Sequence, residues 1–144
     1  MTTKITKIRA VLDHVGIAVD DLELALAFYR DALGLEVGPV KEVSSQRVRA
    51  HMMPTGTSGS VSLELLEATE DDSPIARFVG RRGPGLHHIT FKVESVSDAL
   101  AALKERGVRL IDDIPRPGAE GSRVAFIHPS STHGVLVELK EDKV

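Results

Sequence analysis

Two pairs of ionisable residues stand at matching positions in the chain, His14 with Glu64 and His88 with Glu138. Each glutamate follows its histidine by 50 positions (64 − 14 and 138 − 88), and the second pair follows the first by 74 (88 − 14). Two imidazoles and two carboxylates suit an open site for a divalent cation, with water or substrate as further ligands. Such a cation polarises a carbonyl oxygen while a nearby carboxylate moves a proton at the adjacent carbon. The pattern therefore predicts metal-assisted proton abstraction next to a carbonyl group.

The composition excludes several other kinds of chemistry and partner. No cysteine occurs among the 144 residues, which rules out disulfides, thiolate metal sites and cysteine nucleophiles. The formal charge of −3, with both signs interspersed, gives no reason to expect a nucleic-acid partner. The sequence has neither a signal-peptide pattern nor an apolar run long enough to span a membrane. We therefore expect a cytoplasmic protein with no membrane partner.

An internal repeat places the four residues on strands. The segment from Leu12 (LDHVGIAVDDLELALAFYRDALGLEV) and the segment from Leu86 (LHHITFKVESVSDALAALKERGVRLI) both read as strand, break, helix, glycine and second strand. Gly/Pro/Ser-rich breaks follow, and then a last apolar strand, from Val61 in one copy and from Val135 in the other. The predicted fold is α+β, with two βαβββ modules forming a sheet-lined cleft. We expect a single domain over residues 11–139: module one at about 11–68, a linker helix at about 73–82 and module two at about 86–139.

Each predicted helix has an apolar stripe and recognisable ends. The first begins at a cap on Asp20 or Asp21, stops at Gly34 and buries five residues, Leu22, Ala25, Leu26, Tyr29 and Leu33. The second begins at Ser95, stops at Gly107 and buries Val96, Ala99, Leu100 and Leu103. The linker helix begins at Asp72 or Ser73, with Pro74 in its first turn.

Side-chain alternation predicts that the four ionisable residues share one face. Successive strand residues point to opposite sides, so His14 and His88 oppose the apolar residues that follow them. Glu64 and Glu138 likewise oppose their apolar neighbours. All four are predicted to lie on the face that does not pack against the helices. The same alternation places His87 on the helix-packed side or at its edge, which leaves His88 as the site residue.

Four segments carry a resemblance to a known family: DHVGIAVDDLELALAFYRDALGLEV, LELLEATEDDSPIARFV, GLHHITFKV and FIHPSSTHGVLVEL. The chain resembles the methylmalonyl-CoA epimerases, a family within the vicinal oxygen chelate, or glyoxalase-like, superfamily. The resemblance implies a glyoxalase-like fold and an isomerase, a racemase or epimerase acting on an acyl-CoA. Its substrate would be methylmalonyl-CoA, whose 2R and 2S forms interconvert through an enolate in propionate metabolism. It further implies a homodimer.

The family's metal ligands fall on His14, His88 and Glu138, and the fourth on Glu64, where many relatives have Gln. The cofactor implied is a divalent ion, with Co²⁺ as first choice and Mn²⁺, Ni²⁺, Zn²⁺ or Mg²⁺ as alternatives. In some relatives a catalytic glutamate stands at the position that falls on Ala50, so that carboxylate is missing here. We therefore expect Glu64 and Glu138 to be the catalytic acid/base pair.

Two matters stay open at the level of sequence. Backbone N–H groups near Gly121 and Ser122 either bind the substrate carboxylate or belong to a plain hairpin loop. The function has two rivals within the superfamily: a lactoylglutathione lyase-like metal isomerase, and a non-catalytic ligand-sequestering protein of the bleomycin-binding type. Absence of bound metal in the purified protein would favour the ligand-sequestering protein.

Overall fold

A computed structural model describes residues 7–56 and 60–142. It divides into two compact units, one formed by Asp13–His88 and the other by the described parts of Met1–Leu12 and Ile89–Val144. We call them the first and the second unit. Among the described residues, none of the helices is both long and apolar enough to traverse a lipid bilayer.

The first unit is the βαβββ module that the repeat predicts, followed by one more helix. Its elements are β1 (Val11–Val19), α1 (Leu22–Leu26), β2 (Lys41–Val43), β3 (Val48–Pro54), β4 (Ser62–Ala68) and α2 (Pro74–Arg82). The strand order is β2-β3-β4-β1, with β1 parallel to β4 and the other pairs antiparallel. Residue Gly16 of β1 stands opposite Glu64 of β4 in this register.

The second unit repeats the arrangement. Its elements are β5 (Gly85–Lys92), which begins in the first unit, α3 (Val96–Glu105), β6 (Arg116–Pro117), β7 (Arg123–Ile127) and β8 (Val137–Glu141). The strand order is β5-β8-β7-β6, with β5 parallel to β8. Thr90 stands opposite Glu138, as Gly16 stands opposite Glu64. The offset of 74 positions therefore relates equivalent places in the two modules.

The predicted second strand directly after each helix does not form. Leu35–Val37 is irregular, and in the other module Leu110 makes only an isolated bridge to Ile127. Strand β8 also begins two residues later than predicted, because His133 and Gly134 turn the chain with positive φ angles of 61° and 91° just before it. The number of strands in each module is nevertheless as predicted, since β2 and β6 lie further along the chain.

The first helix changes its winding halfway. Asp21 caps it by accepting the N–H of Leu24, and α1 then continues as a π-helical segment, Ala27–Ala32. A π-helical turn contains more residues than an α-helical turn, so the residues after it are rotated around the helix axis from the positions they would have in a regular α-helix. As a result Leu33, predicted to be buried, is 57% exposed, and Leu35 packs in the core in its place. The other four predicted residues lie in or against this core.

Helices α2 and α3 begin at the predicted caps. Ser73 accepts the N–H of Ile75, with Pro74 at the first helical position, and Ser95 accepts the N–H of Asp98. Gly107 follows α3 with a φ of 80°, a conformation that glycine adopts without steric cost. Helix α3 packs against Val93, which follows β5, and against apolar residues of β5, β7 and β8: Ile89, Phe91, Ala125, Ile127, Val137 and Leu139.

The side-chain alternation is confirmed in both units, with one correction. In the first unit Ile17, Val19, Leu63 and Leu65 pack against α1, on the side opposite His14 and Glu64. The face of His14 and Glu64 is not free of helix, however. Ala18 and Leu66, further along the same face, pack against Ile75 and Phe78 of α2. Helix α1 already covers the opposite face of the sheet. The apolar residues of α2 are therefore buried against one end of the face that carries His14 and Glu64.

Candidate metal centre

Three of the four predicted residues converge in the first unit. The Nε2 atom of His14 lies 3.4 Å from Oε1 of Glu64, and Nε2 of His88 lies 3.7 Å from the same oxygen. The two imidazole rings meet edge to face, with centroids 5.7 Å apart. Both histidine side chains are 5% exposed and that of Glu64 is 17% exposed. Two ring nitrogens and one carboxylate oxygen are thus gathered in a sheltered place.

These distances fit ligands around a shared cation better than they fit direct hydrogen bonds. An N–H···O bond is typically about 2.7–3.2 Å long, and both contacts exceed that range. Ligand bonds of roughly 2.0–2.2 Å place neighbouring donor atoms around one cation about 3 Å apart or slightly more. The donor set of imidazole nitrogen and carboxylate oxygen is one that divalent transition metals accept. The residues present therefore fit the metal that their chemistry implies.

Each histidine is held at its other ring nitrogen by the residue before it. Nδ1 of His14 donates to Oδ2 of Asp13 at 2.7 Å. Nδ1 of His88 lies 2.9 Å from Nδ1 of His87, so one of these two nitrogens donates to the other. The ring of His87 also meets Phe78 of α2 edge to face at 4.9 Å. His87 thus contacts α2, the helix that covers part of the face of His14 and Glu64, and also contacts His88.

Burial favours the neutral form of His87 and His88. Desolvation lowers the pKa of His87 from 6.5 to about 4 and that of His88 to about 3, because a charged ring loses its hydration there. The carboxylate of Glu64 acts in the opposite direction on both rings but is the weaker influence. A neutral imidazole is the form that binds a metal, so His88 is ready to act as a ligand at neutral pH.

Glu138 lies in the second unit on β8, buried at 8% exposure. Thr90, the residue opposite it on β5, donates its hydroxyl to Oε1 of Glu138 at 2.6 Å. Thr90 itself is fully buried. This hydrogen bond holds one carboxylate oxygen of Glu138. His14, His88 and Glu138 are all buried groups of metal-ligating type.

Position 50 carries no polar group. Ala50 lies on β3 opposite Leu66, 6% exposed, in the apolar cluster that α2 covers. His51 points to the other side, as predicted, where its Nδ1 is 2.9 Å from the carbonyl oxygen of Gly38. Neither residue adds an acid or base beside Glu64.

Gly121 and Ser122 lie in a short 3₁₀ turn, Ala119–Gly121, and at its end. The backbone N–H of Ser122 donates to the carbonyl of Ala119 at 3.1 Å, and its hydroxyl donates to the same oxygen at 2.7 Å. A carboxylate would compete with Ala119 for both donors. The Gly121 φ of 75° explains the glycine at this position.

Three residues that contact the predicted ligands were not predicted from the sequence. Asp13 and His87 immediately precede the two histidines, and Thr90 is opposite Glu138. The signal for Asp13 and His87 was present, since the offset of 74 relates these two positions as well. The signal for Thr90 was its polar type on the predicted inner face of a strand.

The model for the Glyoxalase/Bleomycin resistance protein/Dioxygenase superfamily matches residues 13–126. The chain belongs to this superfamily. Together with the His/Glu cluster, this membership indicates a site for a divalent metal ion.

Individual relatives indicate a particular family within this superfamily. An ethylmalonyl-CoA/methylmalonyl-CoA epimerase of Cereibacter sphaeroides is 40% identical over 132 residues, which cover 90% of this chain and 96% of the relative. A solved methylmalonyl-CoA epimerase in complex with methylmalonyl-CoA and NH4+ superposes with a TM-score of 0.84 at 38% identity, covering 94% of this chain and 96% of the other. An uncharacterized protein of Bacillus subtilis is 46% identical over 92% of both chains. The resemblance to methylmalonyl-CoA epimerases and the glyoxalase-like α+β fold class are confirmed.

Proposed function

We propose that this protein is a metal-dependent methylmalonyl-CoA epimerase that moves the C2 proton of its substrate. The observation that carries the proposal is the convergence of His14 and His88 on one carboxylate oxygen of Glu64. It occurs in a chain whose relatives over nine-tenths of its length include named epimerases of acyl-CoA thioesters. The C2 proton lies between a thioester carbonyl and a carboxylate, and is the kind of proton that such a site removes.

The ligand set that we propose is His14, Glu64, His88 and Glu138, around one divalent cation. Co²⁺ is the first choice, and Mn²⁺, Ni²⁺, Zn²⁺ and Mg²⁺ are the alternatives. When bound, the cation supplies Lewis-acid stabilisation of negative charge on the oxygens of the substrate. The repeat supports the inclusion of Glu138, because it occupies in the second module the place of Glu64 in the first.

Proton transfer is assigned to Glu64 and Glu138. Epimerisation requires a base on one face of C2 and an acid on the other, so two groups are needed. Ala50 cannot serve, since it is a buried methyl group. Thr90 holds Oε1 of Glu138 by a hydrogen bond, and Glu64 is the acidic residue of β4 on the same side as His14.

Substrate binding is proposed to use the turn at Gly121 and Ser122 for the free carboxylate of the substrate. The turn would release its Ser122 donors from Ala119 to do so. Ser122→Ala would then raise KM several-fold with a smaller effect on kcat. We further propose that the protein acts in the cytoplasm as a homodimer, which sedimentation velocity would test.

The decisive experiment measures loss of deuterium from C2 of methylmalonyl-CoA in water. Four samples are compared: the metal-loaded protein, the same protein after chelation, the Glu64→Gln variant and a matched Glu42→Gln variant. Glu42 is an exposed residue on β2, away from the site. We expect chelation to abolish exchange, Glu64→Gln to slow it by about 10²–10⁴-fold, as removal of an acid/base group does, and Glu42→Gln to leave it unchanged.

Full exchange by Glu64→Gln would contradict the acid/base assignment. Deuterium exchange that continues after chelation would contradict the requirement for a divalent metal ion. Turnover of the methylglyoxal-glutathione hemithioacetal, without C2 exchange, would favour a lactoylglutathione lyase-like isomerase. Ligand retention with neither reaction would favour a sequestering protein.

A further inference from the structure

The same contact occurs twice in the first unit, at positions related by the repeat. Asp13 precedes His14 and contacts its Nδ1, and His87 precedes His88 and contacts its Nδ1. Asp13 and His87 differ by 74 positions, as do the two histidines that they hold (87 − 13 and 88 − 14). The two contacting groups are chemically different, a carboxylate and an imidazole, but they act on the equivalent ring atom.

We propose that Asp13 and His87 are positioning residues, each of which accepts the Nδ1 proton of the following histidine and so leaves its Nε2 lone pair directed at the centre of the site. This assignment rests on the proposed function for its purpose, the binding of a metal at Nε2.

The assignment for His14 follows from the chemistry of Asp13. An ionised carboxylate only accepts hydrogen bonds, so a contact of 2.7 Å requires the proton on Nδ1 of His14. A neutral imidazole carries one proton on its two ring nitrogens, and Nε2 then has a lone pair. That lone pair belongs to the atom 3.4 Å from Glu64. Carboxylate acceptors of this kind fix the ring orientation of metal-binding histidines and raise their basicity.

The assignment for His88 follows from the position of Glu64. Nε2 of His88 is 3.7 Å from the carboxylate oxygen, too long for a hydrogen bond to it, while Nδ1 is 2.9 Å from Nδ1 of His87. If Nε2 is the ligand atom, the proton lies on Nδ1 of His88, and Nδ1 of His87 accepts it. The proton of His87 then lies on its own Nε2. The edge-to-face contact with Phe78 holds the His87 ring in place for this role.

The two positioning residues are not equivalent in strength. A carboxylate acceptor makes a charge-assisted hydrogen bond and gives more electron density to the ring than a neutral imidazole does. His14 should therefore be the more basic ligand of the two. Loss of the acceptor at Asp13 should accordingly weaken metal binding more than loss of the acceptor at His87.

The first test reads the tautomers directly, in metal-free protein, by long-range ¹H–¹⁵N correlation spectra of the imidazoles. The His14 and His88 signals are assigned by their loss in His14→Gln and His88→Gln. We expect both rings to carry the proton on Nδ1. Asp13→Ala should change the tautomer populations of His14 only, and His87→Phe those of His88 only. His87→Phe preserves an aromatic ring beside Phe78 but offers no acceptor.

The second test measures binding of Co²⁺ alone, by its visible absorption and by calorimetry. Asp13→Ala and His87→Phe should weaken binding by about 10–100-fold, the usual cost of losing such a partner. Asp13→Asn and His87→Gln retain an acceptor oxygen and should recover most of the affinity. Asp20→Ala, which removes an exposed carboxylate near the other end of β1, should not change it.

The outcomes separate this assignment from the proposed function. A proton on Nε2 of either ring in the wild-type protein would overturn the assignment, and so would tautomers that ignore Asp13→Ala and His87→Phe. A failure of Asn and Gln to restore what Ala and Phe remove would also count against it. If the tautomers are as expected and the wild-type protein binds no Co²⁺, the positioning role of Asp13 and His87 is supported and the proposed metal site is contradicted.

Discussion

Gly16 lies directly against the imidazole ring of His88. A Cβ atom added at Gly16 would come 2.2 Å from Cε1, 2.5 Å from Nδ1 and 2.8 Å from Nε2 of that ring. The residue opposite Glu64 on the neighbouring strand is thus a glycine, whereas the equivalent residue opposite Glu138 is Thr90. The missing side chain leaves the space in which His88 reaches Glu64.

The first prediction follows from this close approach. Gly16→Ala should displace the His88 ring and weaken Co²⁺ binding by at least about 10-fold, since the methyl group and the ring cannot occupy the same space. Calorimetric titration of the metal-free protein measures this. Gly80→Ala is the matched control, because Gly80 lies in α2, where an added Cβ would meet nothing within 4 Å beyond its chain neighbours and the backbone of its own helix. Unchanged affinity in Gly16→Ala would mean that His88 is not a ligand.

The second prediction concerns the hydroxyl that holds Glu138. Thr90→Val retains the shape of the side chain but removes the donor to a buried carboxylate. Its free energy of unfolding should fall by about 1.5–3 kcal/mol, the range for hydrogen bonds to charged groups. Thr90→Ser preserves the hydroxyl and should keep the hydrogen bond while losing only a methyl group. Urea unfolding of both metal-free variants measures the difference, and equal losses would argue against the role of the hydroxyl.

The third prediction is a pH dependence of stability in the metal-free protein. His87 and His88 have folded-state pKa values of about 4 and about 3, below the ordinary 6.5. At pH values between these folded-state pKa values and 6.5, the unfolded chain binds more protons than the folded chain. The free energy of unfolding therefore rises with pH in this interval. Each histidine contributes at most about 1.4 kcal/mol per pH unit. Stability should therefore fall on acidification from about pH 6.5 to pH 5.

Denaturant unfolding at several pH values measures this slope. His87→Phe should reduce it, because a group that must be charged on unfolding has been removed. His133→Asn is the control, since His133 is exposed and asparagine tolerates its positive φ of 61°. A slope that is flat in the wild-type protein would contradict the burial of neutral histidines.

The fourth prediction tests the π-helical segment. Leu26 is 2% exposed in the first-unit core, whereas Leu33, which a regular helix would bury, is 57% exposed. Leu26→Ala should cost about 2–5 kcal/mol of unfolding free energy, and Leu33→Ala less than about 0.5 kcal/mol. Comparable losses in the two variants would show that the first helix stays regular to its end.

Local patterns in the sequence determined the framework that holds the site. Periods of two and of about 3.6 residues decide which side chains an element can bury, whatever it packs against. The alternation therefore placed His14, Glu64 and Glu138 correctly on their strands. The cap at Ser95 was correct, and of the two predicted alternatives Asp72 and Ser73 the structure has Ser73, because a cap depends only on residues within one helical turn. The repeat offset of 74 was borne out in the strand register of both units.

Tertiary structure alone decided the contacts between side chains from separate segments. The closeness of Gly16 to the His88 ring joins residues 72 positions apart (88 − 16), and no local period encodes it. The bond between His87 and His88 was missed because alternation sends neighbouring residues to opposite sides, and only rotation of both rings lets their Nδ1 atoms meet. The π-helical turn that exposed Leu33 depends on how the first helix fits its sheet. Local periodicity sets the side of an element on which a residue lies, whereas packing sets which atoms on that side touch.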